Sequence, residues 1–252
     1  MPKPLVALGV ALLPVALAAA SLAGAPQTAD GAIATYKLTY ASLPNGTKQV
    51  VRWNGCQTAI TYKVNMYAVP TSIRTNVLND VKSALSKVTA STGFTFSYKG
   101  TTTEVPRSGS MPKQTAELVV AFTSPSKTDY SLYGSTLGQG GMYYGWVSRT
   151  VSGKTTYTVA AQRGFVVIDT PQMMKQLTGG TGTGYHRSNL LAHEIGHAMG
   201  LQHVDDTRQQ MYPVLRSTSP QLFYSGDRYG LTKVGKAAGC INTAYMPLKD
   251  LS

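Results

Sequence analysis

His193-Glu194-Ile195-Gly196-His197-Ala198-Met199-Gly200-Leu201-Gln202-His203 constrains this chain more than any other stretch. It gathers three of the four histidines in the sequence where one metal ion could collect them. His193 and His197 are four apart, so on a helix they project from one face, about 5–6 Å apart at Cβ. That separation suits two Zn–N bonds of roughly 2.0–2.1 Å. Gly200 stands where a left-handed exit from the helix is cheap only for glycine. The turn beyond it lets His203 supply a third nitrogen. Glu194 shares the helix and reaches a metal-bound water rather than the metal. Three protein ligands and one open position describe a catalytic zinc site, not a closed structural one. A bare H-E-x-x-H also occurs on helices whose surface histidines bind nothing; the extension through Gly200 and His203 is far rarer.

Eight residues beyond His203 comes Met211-Tyr212-Pro213. With the histidine motif, it resembles the matrixin branch of the metzincin proteases, and specifically the secreted bacterial matrixin-like zinc metalloproteases. Arg52-Trp53-Asn54-Gly55-Cys56, Thr92-Gly93-Phe94-Thr95-Phe96, and Gly226-Asp227-Arg228-Tyr229-Gly230-Leu231 running to Gly239-Cys240 are similar to segments of those proteins. The resemblance covers residues 50 to 242, with 193–213 its specific part.

It implies an α+β, metzincin-like fold: a mixed twisted sheet, two long helices above the cleft, and an irregular lower part with a short C-terminal helix. It also implies a zinc-dependent endopeptidase that hydrolyses peptide bonds through a zinc-activated water. Glu194 would be the general base, and His193, His197 and His203 the metal ligands. Met211 and Pro213 would form a methionine turn, with Met211 a soft apolar floor under the histidines. Two departures stand out. No cysteine-switch motif is present, and Val204 occupies the place where animal matrixins usually carry serine, with Asp205 and Asp206 one step later. Those acids either orient a ligand histidine or cap a turn. In astacin-type relatives a tyrosine two residues after the methionine touches the metal; Pro213 holds that place here, so no tyrosine ligand is assigned. Only His186 remains after the triad is used, so one catalytic zinc is expected. No calcium-loop motif is visible among the 11 acidic residues, which leaves calcium open.

The ends of the chain bear on compartment. Lys3 precedes an uncharged apolar run from Leu5 to about Ala25, and Ser21-Leu22-Ala23 offers small residues for cleavage. Residues 1–23 read as a signal peptide; the competing reading is an uncleaved anchor, since the run is long enough to span. Pro14 and the alanine-rich second half favour processing, and no other stretch could cross a bilayer. The expected localisation is secreted or extracellular, with cell-wall association open. Residues 24–50 read as a linker or short pro-segment, 51–242 as the catalytic domain and 243–252 as a C-terminal tail. Cys56 and Cys240 flank the domain, so an exported protein would pair them in a disulfide. Two free thiols, or Cys56 capping the zinc, are the alternatives.

Along the chain, Ile60, Tyr62, Val64 and Met66 alternate as a half-buried strand, and Ile73, Val77, Val81, Leu85 and Val88 form a helical stripe ending at Gly93. Phe94, Phe96 and Tyr98 alternate again. Leu118–Phe122 reads as a central strand, Phe165–Asp169 as the last strong strand, and the histidine helix starts near Arg187. The order is strand, helix, three strands, helix. Gly138 to Gly145 is glycine- and tyrosine-rich; its tyrosines either pack on a sheet edge or, as the resemblance implies, part of 141–147 faces an extended peptide. Val214 to Gly226 reads as the wall of the pocket just past the scissile bond. A short helix is expected from about Asp227 to Ala238.

The net charge of +12 draws the chain to anionic surfaces such as cell-wall polymers. Its cations are scattered, without a run of five or a nucleic-acid motif, so nucleic acid is not an expected partner. The expected partner is a protein or peptide in extended form. A non-catalytic, metal-stabilised surface or wall-binding module is the alternative, and hydrolysis of another amide, such as a wall crosslink, a third. An intact Glu194 speaks against the module, because a structural site has no use for a base there.

Overall fold

The computed structural model describes residues 35–109, 114–244 and 246. The expected signal peptide, its cleavage site and most of the tail lie outside them. A five-stranded sheet organises the domain in the order β5-β4-β6-β8-β7. Its strands are β4 (Ile60–Asn65), β5 (Phe96–Thr101), β6 (Leu118–Thr123), β7 (Gly138–Val151) and β8 (Lys154–Asp169). The first three and β8 run parallel, whereas β7 turns back antiparallel on β8. All six residues of β6 are buried, as its unbroken apolar run demands.

Four strands, not three, separate the two long helices. Gly138–Val151 has weak local strand character, but every residue of it has a partner on β8, and pairing supplies what propensity lacks. After β8, Pro171 does not leave the chain extended. It occupies the first turn of α2 (Thr170–Gln176), capped by the Asp169 carboxylate on the Gln172 N–H at 3.1 Å.

The two long helices are α1 (Arg74–Thr92) and α3 (Arg187–Ala198), which pack on each other. Val77, Val81, Ala84, Leu85 and Val88 bury the apolar stripe of α1, while Ile73 stays at its N-cap. Between the helices runs a buried polar seam. Asp80 holds the Arg187 Nε at 2.7 Å and accepts the Gly180 N–H, and Lys87 Nζ donates to Ser188 Oγ and Asn189 Oδ1 at 3.2 and 3.0 Å. The seam fixes the start of the histidine helix against α1.

Burial lowers the Lys87 pKa to about 8, with Asp80 opposing the shift. In the unfolded chain the amine keeps its ordinary value near 10.5, so between these values the unfolded state holds more protons. Stability therefore rises as pH climbs through that window. The difference in melting temperature between wild type and Lys87→Met isolates this one group. It should move in favour of wild type between pH 7.5 and 9.5, and a pH-independent difference would refute the desolvated amine.

The segment expected as a linker or pro-segment is part of the domain from Thr35 onward. β1 (Lys37–Leu38) pairs with β9 (Leu201–Gln202), and β2 (Tyr40–Ser42) with β3 (Lys48–Val50). Ala41, Leu43, Val51 and Trp53 enter the main core. Too few apolar residues recur here to announce strands; β2 and β3 pair locally, but the partner of β1 lies across the domain. The C-terminal helix α4 (Ser225–Val234) begins two residues before Asp227 and stops at Gly235, followed by a 3₁₀ turn at Lys236–Ala238. A Cys56–Cys240 disulfide joins the domain's two ends. Among the described residues no helix is long and apolar enough to cross a membrane.

Candidate metal centre

α3 carries His193 and His197 one turn apart. Gly200 then takes φ 109°, a conformation open to glycine, and a Cβ there would stand 3.0 Å from the Val51 carbonyl oxygen. The chain reverses into β9 and brings His203 over the helix. The Nε2 of His203 lies 3.1 Å from that of His193 and 3.0 Å from that of His197. Two ligands held at roughly 2.0–2.1 Å in a tetrahedron are about 3.3 Å apart, so the triad fits one small cation.

The opposite ring nitrogens explain the aim. His193 Nδ1 meets the Gln210 carbonyl at 2.7 Å and His197 Nδ1 meets the Leu201 carbonyl at 2.8 Å. A carbonyl only accepts, so each Nδ1 carries the proton and each Nε2 presents a lone pair. Burial, then repulsion from His203, lowers His193 to about 4, against the pull of the Gln210 carbonyl. Burial also lowers His197 and His203, with His193 and His203 adding to the first and Lys37 to the second. Neutral imidazoles are the state a metal needs.

Glu194 is 5% exposed. The start of β7 lies directly on it: a Cβ on Gly138 would stand 3.1 Å from the Glu194 Cγ and Oε1, and one on Gly140 would overlap the Glu194 backbone. Gly140 fills that place only because it has no side chain. Burial pushes the Glu194 carboxyl up to about 8, opposed by the nearby Gly140 N–H. A nearby cation would draw it back down.

Met211 is buried under the same helix, its Sδ 2.6 Å from where a Cβ on Gly196 would be, while Pro213 is exposed. The turn is braced by Asp227, whose carboxylate accepts the N–H groups of Gln210, Met211 and Tyr224 at 2.5, 3.3 and 3.1 Å. Burial raises Asp227 to about 6, with the Gln210 N–H first among the donors opposing it. Gln210 links this brace to the triad through its carbonyl on His193. Asp206 turns instead to Arg208, Gln209 and Thr35, capping a turn and tying down the N-terminal segment, while the exposed Asp205 lies 3.8 Å from Lys37. His186 sits at the N-cap of α3, its Nδ1 3.4 Å from the Gly179 carbonyl, outside the triad.

The sequence alone assigns no role at the metal centre to Gly138, Gly140, Gln210 or Asp227, although Gly138 and Asp227 lie in segments it singles out. The run Gly138-Gln139-Gly140-Gly141 was the available signal for close approach of a backbone, but nothing local tied it to Glu194. Among known proteins, the Matrixin peptidase family model matches residues 52–234, well over half the chain. No curated protein matches the sequence.

Proposed function

Since the chain belongs to the matrixin family, we propose that it is a secreted zinc endopeptidase in which His193, His197 and His203 hold one zinc ion and Glu194 is the general base. The observation that carries this is the convergence of three neutral Nε2 atoms beside a buried carboxyl. Zinc, when bound, lowers the pKa of water towards about 7 and polarises a carbonyl oxygen.

The chain's own residues supply the rest. Glu194 accepts the proton of the attacking water and delivers it to the leaving amine. The start of β7 packs against the Glu194 side chain at Gly138, and the Gln210 and Leu201 carbonyls fix two ring tautomers. Met211 is a structural floor, and Val214 to Gly226 walls the pocket beyond the scissile bond. The exposed Val214 and Leu222 suit apolar contact there. Part of 141–147 receives the substrate as an added strand. Secretion is supported by the neutral N-terminal run after Lys3 and by the disulfide, which persists in oxidising compartments.

Secreted protein incubated with unfolded casein should cleave it, lose activity with a chelator and regain it with one equivalent of zinc. N-terminal sequencing of the same material should begin near Gly24. Intact casein under zinc-replete conditions would favour a metal-stabilised binding module.

A further inference from the structure

α1 turns one face, with Asp80 and Lys87, to α3, and another to the edge strand β5. β5 closes the sheet on the side away from β7, four strand spacings of about 4.8 Å from it. Between α1 and β5 lie two hollows of about 300 and 340 Å³. Leu78 and Tyr98 line the first, and Tyr62, Lys82, Leu85 and Phe96 the second. They meet where the rings of Tyr62 and Tyr98 stand 5.2 Å apart and Lys82 Nζ lies 5.8 Å over Tyr98. From Thr75 to Thr89 the helix makes one wall of a groove about 21 Å long.

The backbone bends to complete this groove. Tyr62 pairs with Tyr98 but Val64 with Thr101, so β5 carries one residue more than β4 over the same stretch. Gly100, at φ 94°, lies in the bulge that takes up the extra residue. Strict alternation would send Thr101 to the far side of the sheet. The bulge returns it to the face of Tyr98, where it lines the first hollow. Thr102 and Thr103 stand beside it, and Tyr67, 85% exposed, forms the rim. The second hollow adds the hydroxyls of Ser86, Thr89 and Thr95. Aromatic walls set with hydroxyls run the length of the groove.

Charge there is one-sided. From Ile60 to Thr103 the chain has five cations and one acid. That acid, Asp80, is buried against Arg187 on the other face of the helix, and Lys87 is buried with it. Arg74 and Lys82 border the groove, and among the described residues neither is in an ion pair. They are eight residues apart, about 12 Å along the helix, more than one carboxylate can span.

We infer that this groove binds an acidic polysaccharide, a chain of carboxylated sugar rings, at a site separate from the metal centre. The C–H face of a sugar ring packs on the open Tyr67 ring, and sugar hydroxyls meet the threonines. Carboxylates meet Arg74 and Lys82 in charge-assisted hydrogen bonds. A polymer that repeats its charge reaches both cations, two turns apart on one helix. A second copy of this chain, at net +12, would bring like charge to the groove. The groove uses neither the histidines nor Glu194, so it serves the chain whatever its chemistry at the metal centre.

The test is calorimetric titration of the protein, at physiological salt, with a galacturonic acid hexamer. A saturable one-to-one complex is expected, with no binding of a neutral galactose hexamer. Arg74→Gln/Lys82→Gln should weaken the complex by about tenfold or more. Lys127→Gln/Lys154→Gln removes the same charge from exposed sites elsewhere and should change Kd by about twofold at most. Tyr67→Ala, which takes away an exposed ring and no charge, should weaken binding by about threefold or more. Hexaglutamate, with charge but no sugar ring, should bind about tenfold more weakly than the acidic sugar. Should the groove variant lose its fold, amide NMR shifts of the wild-type protein decide, and they should centre on residues 66–103. No binding, equal loss in both double variants, hexaglutamate binding as tight as the sugar's, or shifts centred elsewhere would each overturn the assignment.

Discussion

Glu194→Ala is expected to cut peptide cleavage by about 10²–10⁴-fold, the usual cost of losing a general base, and still to bind one zinc ion per chain. The two halves separate because the residue and the triad are held by different contacts. The imidazoles are oriented by the Gln210 and Leu201 carbonyls, neither of which involves the Glu194 side chain. The Glu194 side chain is packed from the other side, by the start of β7 at Gly138. Removing it therefore takes away the proton acceptor and leaves three nitrogens in place. His197→Ala breaks the triad itself and should lose both metal and activity. Glu194→Gln keeps the packing against Gly138 and Gly140, so it separates loss of the base from loss of volume. Metal analysis, melting temperature and a peptide assay on the three variants decide the matter. Near-normal cleavage by Glu194→Ala would refute the base, and two zinc ions per chain the stoichiometry.

The chemistry was legible in the sequence because it is nearly contiguous. One helix turn sets His193 against His197, and a glycine and a reversal bring in His203, all within eleven residues. The periodic stripe of α1 and the unbroken apolar run of β6 were legible for the same local reason. What surrounds the triad was not. Two of its orienting groups are main-chain carbonyls, which every residue has, so Gln210 and Leu201 carry no mark of their role. Asp227 announces itself only once α4 is folded against the methionine turn. Gly140 resembles any loop glycine until β7 is laid on α3. The segment from Thr35 to Val50 looked like a linker because its apolar residues are few and, beyond the short β2–β3 pairing, its contacts lie across the domain, on β9 and the β7–β8 ribbon. In each case the missing information was a contact between distant parts of the chain, not a residue type.

Replacing Cys56 and Cys240 together by serine should lower the melting temperature by roughly 10–20 °C while leaving metal binding intact at 25 °C. The bridge spans 184 residues, and closing so long a loop restricts the unfolded chain by about 5 kcal/mol in the chain-entropy account. For a domain of this size each kcal/mol moves the midpoint by about 2–4 °C. The native state does not depend on the bridge alone for its geometry. Arg52 Nη1 donates to the Gly239 carbonyl at 2.7 Å, the Gly55 N–H reaches the same oxygen at 3.2 Å, and Asn54 Oδ1 accepts the Ile241 N–H at 2.9 Å. These bonds should hold the ends in register once the sulfurs are gone, so the loss falls on the unfolded state and the triad, carried by α3 and β9, keeps its zinc. Both cysteines are changed at once because a single substitution leaves an exposed thiol free to pair between chains. Thermal unfolding of wild type and double variant, each with zinc, reads the effect directly. A midpoint shift under 3 °C would refute the chain-entropy account of the bridge.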